Sequence, residues 1–205
     1  MEKYTTVLHQ SKFEYEEKKS VFIAEALPVS NEEDAISFLE SIKKKYPDAK
    51  HHVYAYILRQ NSTARFSDDR EPQGTAGMPV LDVIRKNGCT DVIIVVTRYF
   101  GGTLLGTGGL VRAYTSSAIG ALKEAQIITY DIYSTYSIEC NYSDFQRLSS
   151  VFDEFGFRVE NTRYTENVVI DGSIMREKED AFVDKIIQLT SARCKFEKKF
   201  EKFDY

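Results

Sequence analysis

Glycine and arginine dominate one short stretch of the sequence, RYFGGTLLGTGGLVR at residues 98–112. Five of the eleven glycines fall between Gly101 and Gly109, the glycine loop, and Arg98 and Arg112 stand at the two ends. Backbone N–H groups at a helix start bind anions, and glycine lets the backbone approach a ligand closely. The stretch therefore predicts either an anion-binding loop or a tight strand-to-helix turn, with the arginines as candidate phosphate or carboxylate ligands.

Two nucleotide-binding motifs are excluded by the spacing within this stretch. Gly101 and Gly106 have the separation found in a P-loop, but Thr107 and Gly108 stand where lysine and serine or threonine must follow. Gly106 and Gly108 begin a dinucleotide fingerprint, but Val111 occupies its last glycine position. Neither an NTPase nor a dinucleotide-binding domain is predicted, and we expect no cofactor.

A second polar segment, SDDREPQGTAG at residues 67–77, is called the acidic loop here. It carries three carboxylates within four residues, at Asp68, Asp69 and Glu71. Such a cluster is common in solvated turns, but carboxylates also pair strongly with arginine. The acidic loop is therefore predicted either to be a solvated turn or to fold against the glycine loop through acid–arginine pairs such as one with Arg98, and we predict no metal site.

Two adjacent histidines open an apolar segment, HHVYAYIL at residues 51–58. On a strand, His51 and His52 point to opposite faces, so only one of them can reach a given cleft. An enzymatic interpretation uses His51, Asp69 and Glu71 as acid or base groups of a small hydrolase acting on a phosphorylated or peptide substrate. No motif for an activated nucleophile accompanies them. The sequence leaves catalysis open and favours a binding protein.

Aromatic residues flank the glycine loop at Tyr99, Phe100 and Tyr114. Exposed rings in such positions stack on the bases of a single-stranded nucleic acid or against a peptide. Buried rings would instead support the loop from beneath. The sequence leaves both interpretations open for each ring.

Periodicity places these residues on strands and helices. Ser30 and Glu33 form a capping-box pattern for a helix that runs to about Tyr46. The polar segment at 59–77 has no periodicity and predicts a long loop, while Gly88 predicts the end of the helix after it. The predicted elements are a hairpin-like strand pair at 5–29, the helix ending near 46, a strand at 51–58, a helix at 78–88, a buried strand at 90–100 and a helix at 109–126.

The remaining residues show a simpler order of strand and helix patterns. The predicted elements are a strand at 134–140, a helix at 141–156 ended by Gly156, strands at 157–166 and 167–176, a helix at 178–192 and a strand at 193–203. The order β-α-β-β-α-β is typical of a ferredoxin-like domain. With the mixed pattern before it, the predicted fold class is α+β.

A change in composition near Ser134 predicts two domains, at 1–133 and 134–205. The first contains nine of the eleven glycines and all four prolines. Glycine and proline mark turns and loops, so the two parts differ in how much irregular chain they contain. We expect the boundary to fall at this change.

Overall composition limits the functional classes. The chain is 42% hydrophobic and 28% charged, as expected of a globular protein, and no apolar run approaches the roughly 20 residues that span a membrane. The N-terminus has no signal-peptide pattern, so we expect a cytoplasmic protein without a membrane partner. A net charge of −4 gives no overall attraction to nucleic acid, so any RNA binding requires a local patch.

Cys89, Cys140 and Cys194 are too dispersed for a zinc finger or disulfide framework and are predicted to be buried.

The two polar segments together resemble the signature of the YigZ/IMPACT family, in SDDREPQGTAGMPVL and VIIVVTRYFGGTLLGTGGLVRAYTSSAIGAL. The resemblance extends upstream through KKSVFIAEALPV and HHVYAY and covers most of 1–133. It implies an N-terminal β-α domain with the fold of a ribosomal-protein domain 2, and a C-terminal ferredoxin-like domain similar to the last domain of elongation factor G. The family commonly has glycine and serine where this chain has Arg70 and Gln73. Because Arg70 carries a Cβ, we expect no positive φ there.

The resemblance also implies a function, since eukaryotic members of the family resemble regulators of translation. We predict a non-catalytic binding protein linked to translation, with the ribosome, RNA or a translation-associated protein as its partner and no DNA specificity. The exposed sheet of the ferredoxin-like domain is a second candidate surface. The predicted binding residues are Asp68, Asp69, Glu71, Gly74, Thr75, Gly77, Arg98, Tyr99, Phe100, Gly101, Gly102, Gly106, Gly108, Gly109 and Arg112.

Overall fold

The chain folds into two compact units. The computed structural model describes residues 3–205, apart from the side chain of Asn61; the first two residues of the predicted first domain lie outside this range. The N-terminal unit comprises Tyr4–Thr129, and the C-terminal unit comprises Lys3 and Tyr130–Tyr205. The division falls within a single strand, Ile127–Cys140, which also contains the predicted boundary at Ser134.

The N-terminal unit is built on an antiparallel five-stranded sheet with the strand order β2-β3-β6-β4-β5. Its elements are β1 (Tyr4–Val7), β2 (Ser11–Glu17), β3 (Ser20–Pro28), α1 (Glu32–Lys45), β4 (His51–Leu58), β5 (Thr63–Ser67), α2 (Gly77–Lys86), β6 (Val92–Tyr99), α3 (Gly106–Glu124) and the start of β7 (Ile127–Cys140).

Central strand β6 is apolar on both faces, so the sheet requires a helical layer on each side. Val92, Ile94 and Val96 share one core with residues of α2 and α3. Ile93 and Val95 share the opposite core with residues of α1. Because side chains alternate along a strand, Arg98 falls on the α2 and α3 face. This face carries the candidate site.

Three helix ends differ from their predicted positions by one to three residues. The N-cap of α1 is Asn31 rather than Ser30, and the Asn31 side chain accepts a hydrogen bond from the backbone N–H of Asp34 (2.8 Å). The C-cap of α2 is Asn87, and Gly88 follows it with a positive φ of 64°. Helix α3 begins at Gly106, so the last part of the glycine loop is already helical. Local patterns identify these helices but do not distinguish between neighbouring capping residues.

The predicted long loop at 59–77 is wrong in part, since Thr63–Ser67 form β5. This strand lies at the sheet edge and pairs with β4 alone, and its mostly half-exposed side chains show no clear alternation. The segment after it makes a tight turn in which Glu71 N–H donates to the Asp68 carbonyl (2.9 Å). Its central residues, Asp69 and Arg70, have φ values of 41° and 68°.

The expectation of no positive φ at Arg70 is therefore wrong. Two successive positive φ values within an i to i+3 hydrogen-bonded turn are the mark of a type I′ turn, for which Asp-Gly is a preferred pair. The hydrogen bonds of the flanking residues hold Arg70 in a conformation that suits glycine.

The C-terminal unit has the predicted ferredoxin-like order of elements. The elements are the remainder of β7, α4 (Tyr142–Phe155), β8 (Arg158–Tyr164), β9 (Val168–Met175), α5 (Glu179–Thr190) and β10 (Lys195–Asp204). Strand β7 pairs with β9 and β10, and β9 pairs with β8, all antiparallel. Gly156 ends α4 in the left-handed conformation, as the sequence predicts. The α+β fold class is confirmed.

Within the described residues, Cys89, Cys140 and Cys194 are reduced and buried, as predicted. Burial raises the pKa of Cys89 to about 11 and that of Cys140 to about 12. Among residues 3–205, no helix has the length and apolar character needed to cross a membrane.

Candidate functional site

Strand register places three site residues in one row across the sheet. Arg98 on β6 lies directly opposite Phe22 on β3 and His51 on β4. Residues that are opposed in this way share a face of the sheet and lie within contact distance. The Arg98 guanidinium accordingly lies 5.3 Å from the centre of the Phe22 ring. The row forms the base on which the two loops meet.

Arg98 joins the acidic loop through a buried ion pair. Its Nη1 donates to Glu71 Oε1 at 2.7 Å, and the two side chains are only 6% and 4% exposed. The Tyr114 hydroxyl donates to the same oxygen at 2.7 Å, and burial, together with Glu71, raises the pKa of Tyr114. The predicted acid–arginine contact between the loops is therefore present. It ties the acidic loop to β6 and α3.

Ser20 connects the same arginine to the glycine loop. Its fully buried hydroxyl accepts a hydrogen bond from Gly101 N–H (3.1 Å) and a longer one from Arg98 Nη2 (3.4 Å). A Cβ on Gly101 would overlap the carbonyl group of Lys19. Glycine is required here because the loop crosses directly against the β2–β3 turn.

The Asp68 side chain caps the start of α2. Its carboxylate accepts hydrogen bonds from the backbone N–H groups of Gly74 (2.8 Å), Ala76 (3.1 Å) and Gly77 (2.8 Å). A carboxylate at this position satisfies unpaired donors and complements the helix dipole. A Cβ on Gly77 would lie 2.6 Å from the Ser67 carbonyl oxygen, so this position also requires glycine. Thr75 donates to the Pro72 carbonyl (2.6 Å) and closes the loop.

Asp69 contacts both histidines at the start of β4. Its carboxylate accepts from the backbone N–H of His52 (2.6 Å), and its carbonyl oxygen contacts His51 Nδ1 (2.8 Å). Because a carbonyl can only accept, Nδ1 of His51 carries the proton and a neutral His51 keeps Nε2 as an acceptor. Nε2 lies 4.0 Å from Glu71 Oε1.

The two histidines face opposite sides of the sheet, as predicted. His51 lines a cleft, whereas His52 is buried against Thr97 on the α1 side. Burial lowers the pKa of His52, and this effect is partly offset by the Asp69 carboxylate. His51 is thus the histidine that a ligand can reach.

These residues line an open cleft of about 410 Å³, called the polar cleft here. This volume lies within the range of sites for small organic ligands. Arg98 and Glu71 form its floor, and Phe100 and Leu104 are 48% and 83% exposed beside it. The lining residues are Lys50, His51, Glu71, Pro72, Arg98, Phe100, Leu104, Leu105, Gly106, Thr107 and Leu110.

One wall of the polar cleft is the N-terminus of α3. Its N-cap, Leu105, provides no side-chain hydrogen bond, so the first N–H groups of the helix, beginning at Gly106, lack a capping acceptor. The helix dipole and Lys50 add positive charge at the same place. The cleft therefore combines unpaired donors, a cation and exposed apolar surface.

Some of the predicted residues do not converge on this cleft. Arg112 is exposed and lines a separate cleft of about 250 Å³ with Tyr15 and Gly109. A Cβ on Gly108 would face Arg112 Nη1 at 3.8 Å. The helix turns Arg112 away from the face that carries Arg98, so the two arginines at the ends of the glycine stretch serve different surfaces.

Sequence reasoning missed Ser20, which hydrogen-bonds to Arg98 beneath the cleft, and six residues that line it: Lys50, Pro72, Leu104, Leu105, Thr107 and Leu110. Ser20 lies in the β2–β3 hairpin, Lys50 directly precedes the histidine strand, and Leu104 lies within the glycine loop. For Lys50, the only available signal was its position beside His51. No sequence signal pointed to Ser20, because its contact with Gly101 depends on the pairing of β3 with β6.

Two family models match the chain. Residues 18–122 match the Impact N-terminal domain, and residues 138–193 match a domain of unknown function, DUF1949. A relative named IMPACT family member YvyE, from Bacillus subtilis, is 33% identical over 191 residues, which are 93% of this chain and 88% of the relative. The chain belongs to the IMPACT family.

Other IMPACT proteins agree with this assignment. IMPACT family member YigZ from Escherichia coli is 33% identical over 172 residues, covering 82% of this chain and 84% of the relative. The Protein IMPACT homolog of Saccharomyces cerevisiae is 33% identical over 94 residues, covering 44% of this chain and 36% of the relative. A crystal structure of a hypothetical protein is similar in fold, with a TM-score of 0.61, 30% identity and coverage of 96% and 97% of the two chains.

Proposed function

We propose that this IMPACT family member is a non-catalytic RNA-binding protein that acts in translation, and that RNA binds at the polar cleft. The observation that carries the proposal is the combination of Lys50, Arg98 and the uncapped start of α3 beside an exposed aromatic ring, Phe100. Single-stranded nucleic acid is bound by this combination of positive charge and stacking surface.

Electrostatics favour a local rather than a general attraction. The chain carries a net charge of −4, so the protein as a whole repels a phosphate backbone. At the cleft, the charge of Arg98 is balanced by Glu71, while Lys50 and the α3 dipole remain. Phosphate would therefore be attracted at this place.

Phe100 provides the stacking surface. The Arg98 guanidinium lies 5.7 Å from its ring centre on one side, and nearly half of the side chain is exposed to solvent. The neighbouring Leu104 extends the exposed apolar surface. An unpaired base can cover both while its phosphate enters the cleft.

The proposed hydrolase chemistry has weaker support. Glu71 Oε1 already accepts from Arg98 and Tyr114, and the Asp69 carboxylate accepts from the backbone of His52. His51 thus has no free carboxylate partner at hydrogen-bond distance within the described residues, and no serine, cysteine or metal ligand set lines the cleft. These contacts are suited to holding the loops in place.

The link to translation rests on the resemblance of the two domains to those of a ribosomal protein and an elongation factor. The family names themselves state no partner. Binding to ribosomal RNA is the simplest activity that joins this resemblance to the cleft.

Phe100→Ala tests the site while leaving both partners of the buried Arg98–Glu71 ion pair in place. Loss of one base–aromatic stack should weaken binding of an unstructured RNA of about ten nucleotides by roughly tenfold at about 50 mM salt, measured by fluorescence anisotropy. Ile119→Ala is the matched control, because Ile119 is 51% exposed in a different groove, between α2 and α3. The same variants should show parallel changes in co-sedimentation with ribosomes.

Two results would overturn the proposal. One is the absence of RNA affinity and of ribosome co-sedimentation at low salt. The other is equal weakening by Phe100→Ala and Ile119→Ala, which would locate the binding surface elsewhere. A partner that is retained after nuclease treatment and requires Phe100 would replace RNA with a protein.

A further inference from the structure

We infer that the polar cleft is a pocket for a phosphomonoester, and that it holds the terminal phosphate and nucleoside of an RNA end. The inference rests on the proposed RNA-binding function and specifies which part of the RNA enters. It follows from three features of the cleft: its hydrogen-bond donors, the depth of Arg98, and its size.

Several hydrogen-bond donors line the polar cleft. Arg98 uses Nη1 for Glu71 and Nη2 for Ser20, while its Nε is buried and has no acceptor within the described residues. The start of α3 and Lys50 contribute further donors. At the cleft floor, the Glu71 carboxylate already accepts from Arg98 and Tyr114. The donors that remain at the cleft surface belong to the start of α3 and to Lys50, and an acceptor-rich ligand would satisfy them.

The position of Arg98 distinguishes between kinds of phosphate. Its side chain is only 6% exposed, so it can be reached only by a group that projects into the cleft. A phosphodiester within an RNA strand is flanked by a ribose on each side and cannot project in this way. A terminal phosphate can, and it presents three acceptor oxygens and nearly two negative charges at neutral pH.

The size and walls of the cleft fit the nucleoside that follows. About 410 Å³ accommodates one nucleotide rather than a phosphate alone. Pro72, Leu105 and Leu110 line the cleft beside the charged floor, and Phe100 lies at its edge with almost half of its surface free. The phosphate would lie at Arg98, the uncapped start of α3 and Lys50, with the base against Phe100.

The test compares RNAs that differ only at their ends. Fluorescence anisotropy is measured with an RNA of about ten nucleotides carrying a 5′-phosphate, with the same RNA carrying a 3′-phosphate, and with a hydroxyl-ended RNA one nucleotide longer. The longer RNA has the same number of phosphates, so its total charge differs from that of the phosphorylated RNAs by about one unit at most. A nucleoside 5′-monophosphate serves as a free competitor, which separates an RNA end from a soluble nucleotide as the source of the phosphomonoester.

One of the two phosphorylated RNAs should bind roughly tenfold more tightly than the hydroxyl-ended RNA, because its terminal phosphate forms new hydrogen bonds to charged groups. Lys50→Gln should reduce this preference to about twofold or less, since it removes an exposed cation of the cleft while the charge of Arg98 stays balanced by Glu71. Lys86→Gln is the control, because it removes the same charge from the groove between α2 and α3. The preference should remain in that variant.

Each further result has a distinct meaning. Equal affinity for phosphorylated and hydroxyl-ended RNA overturns the inference and leaves the proposed RNA-binding function intact. A preference that survives Lys50→Gln overturns the assignment to this cleft. Binding of the free nucleotide without binding of any RNA supports the pocket and overturns the RNA function, while the absence of all binding overturns both.

Discussion

The two units of the molecule differ in the ion pairs that they bury: both partners are buried in the N-terminal unit, whereas the buried Asp144 of the C-terminal unit pairs with Arg193, whose side chain is 51% exposed. The N-terminal unit buries the Arg98–Glu71 pair with Tyr114 and Ser20 beneath the polar cleft. The C-terminal unit instead fills the centre of its core with phenylalanine rings, and Phe182 stacks on Phe157 with ring centres 4.9 Å apart.

Cations of the C-terminal unit lie on its surface and are paired. On β10, Lys195, Lys198 and Lys202 each have a carboxylate within reach, at 3.4 Å, 2.9 Å and 2.7 Å. The exposed sheet predicted as a second binding surface therefore presents mixed charge rather than a free basic patch in its described residues.

The two kinds of interior differ in what they contribute to folding stability. A buried ion pair gives little or no net stability over apolar residues, whereas an aromatic core is favourable in itself. A protein that retains a buried pair beside an open cleft uses it to hold loops in a defined geometry. The predictions below separate this role from ordinary core packing.

Glu71→Ala should cause the largest loss of stability in the N-terminal unit. Removing the carboxylate leaves Arg98 charged and buried without a partner, which should cost about 3–5 kcal/mol of unfolding free energy. Glu71→Gln, which retains an acceptor, should cost less. Chemical denaturation measures both.

The control for Glu71 is an exposed ion pair in the other unit. Asp171 lies 3.0 Å from Arg163, whose side chain is 55% exposed. Asp171→Ala should therefore cost about 0–1 kcal/mol. Similar losses for Glu71→Ala and Asp171→Ala would contradict the proposed difference between the units.

Phe182→Ala should destabilise the C-terminal unit by a comparable amount, about 3–5 kcal/mol, because it empties the centre of an aromatic core. Amide hydrogen exchange read by mass spectrometry should show faster exchange in α4, α5 and β9. The affinity of the polar cleft for RNA should be unchanged in the folded protein. If the variant loses RNA affinity although it is fully folded, the C-terminal unit contributes directly to RNA binding.

Gly101→Ala and Gly108→Ala compare the effect of an added Cβ on stability at two positions of the glycine loop. The first places a Cβ against the backbone of Lys19 and should cost roughly 1–3 kcal/mol. The second meets only the end of the Arg112 side chain and should stabilise α3 by about 0.4–1 kcal/mol. Thermal unfolding should therefore shift in opposite directions, and shifts in the same direction would be inconsistent with this geometry.

Arg70→Gly has a small expected effect, a gain of about 0.5–1 kcal/mol, because glycine relieves the left-handed strain at a small cost in unfolded-state entropy. The side chain itself is 81% exposed, and its ion pair with Asp69 spans 3.8 Å, so little contact is lost. Arg70→Ala is the control, since it removes the same contact and retains the Cβ. A gain in both variants would assign the effect to the side chain instead of to φ.

Much of the secondary structure could be predicted because its causes are local. The histidine strand was predicted at 51–58 and lies at His51–Leu58, and the end of α4 at Gly156 follows from one residue. Strand β5 could not be predicted, because an edge strand with half-exposed side chains carries no periodic signal. The Arg70 turn was misjudged because its strain is offset by non-local contacts of Asp68 and Glu71.

The sequence by itself determined the order of elements in the C-terminal unit, the family, and the two loops that form the candidate site, since all of these depend on residue types and spacing along the chain. The tertiary structure decided which charges meet. Strand register brought Arg98 beside His51 and Phe22, and the turn of α3 sent Arg112 to another surface. It also brought Ser20 and Lys50 to the site. Such contacts join residues far apart in the chain, and they exist only once the sheet has formed.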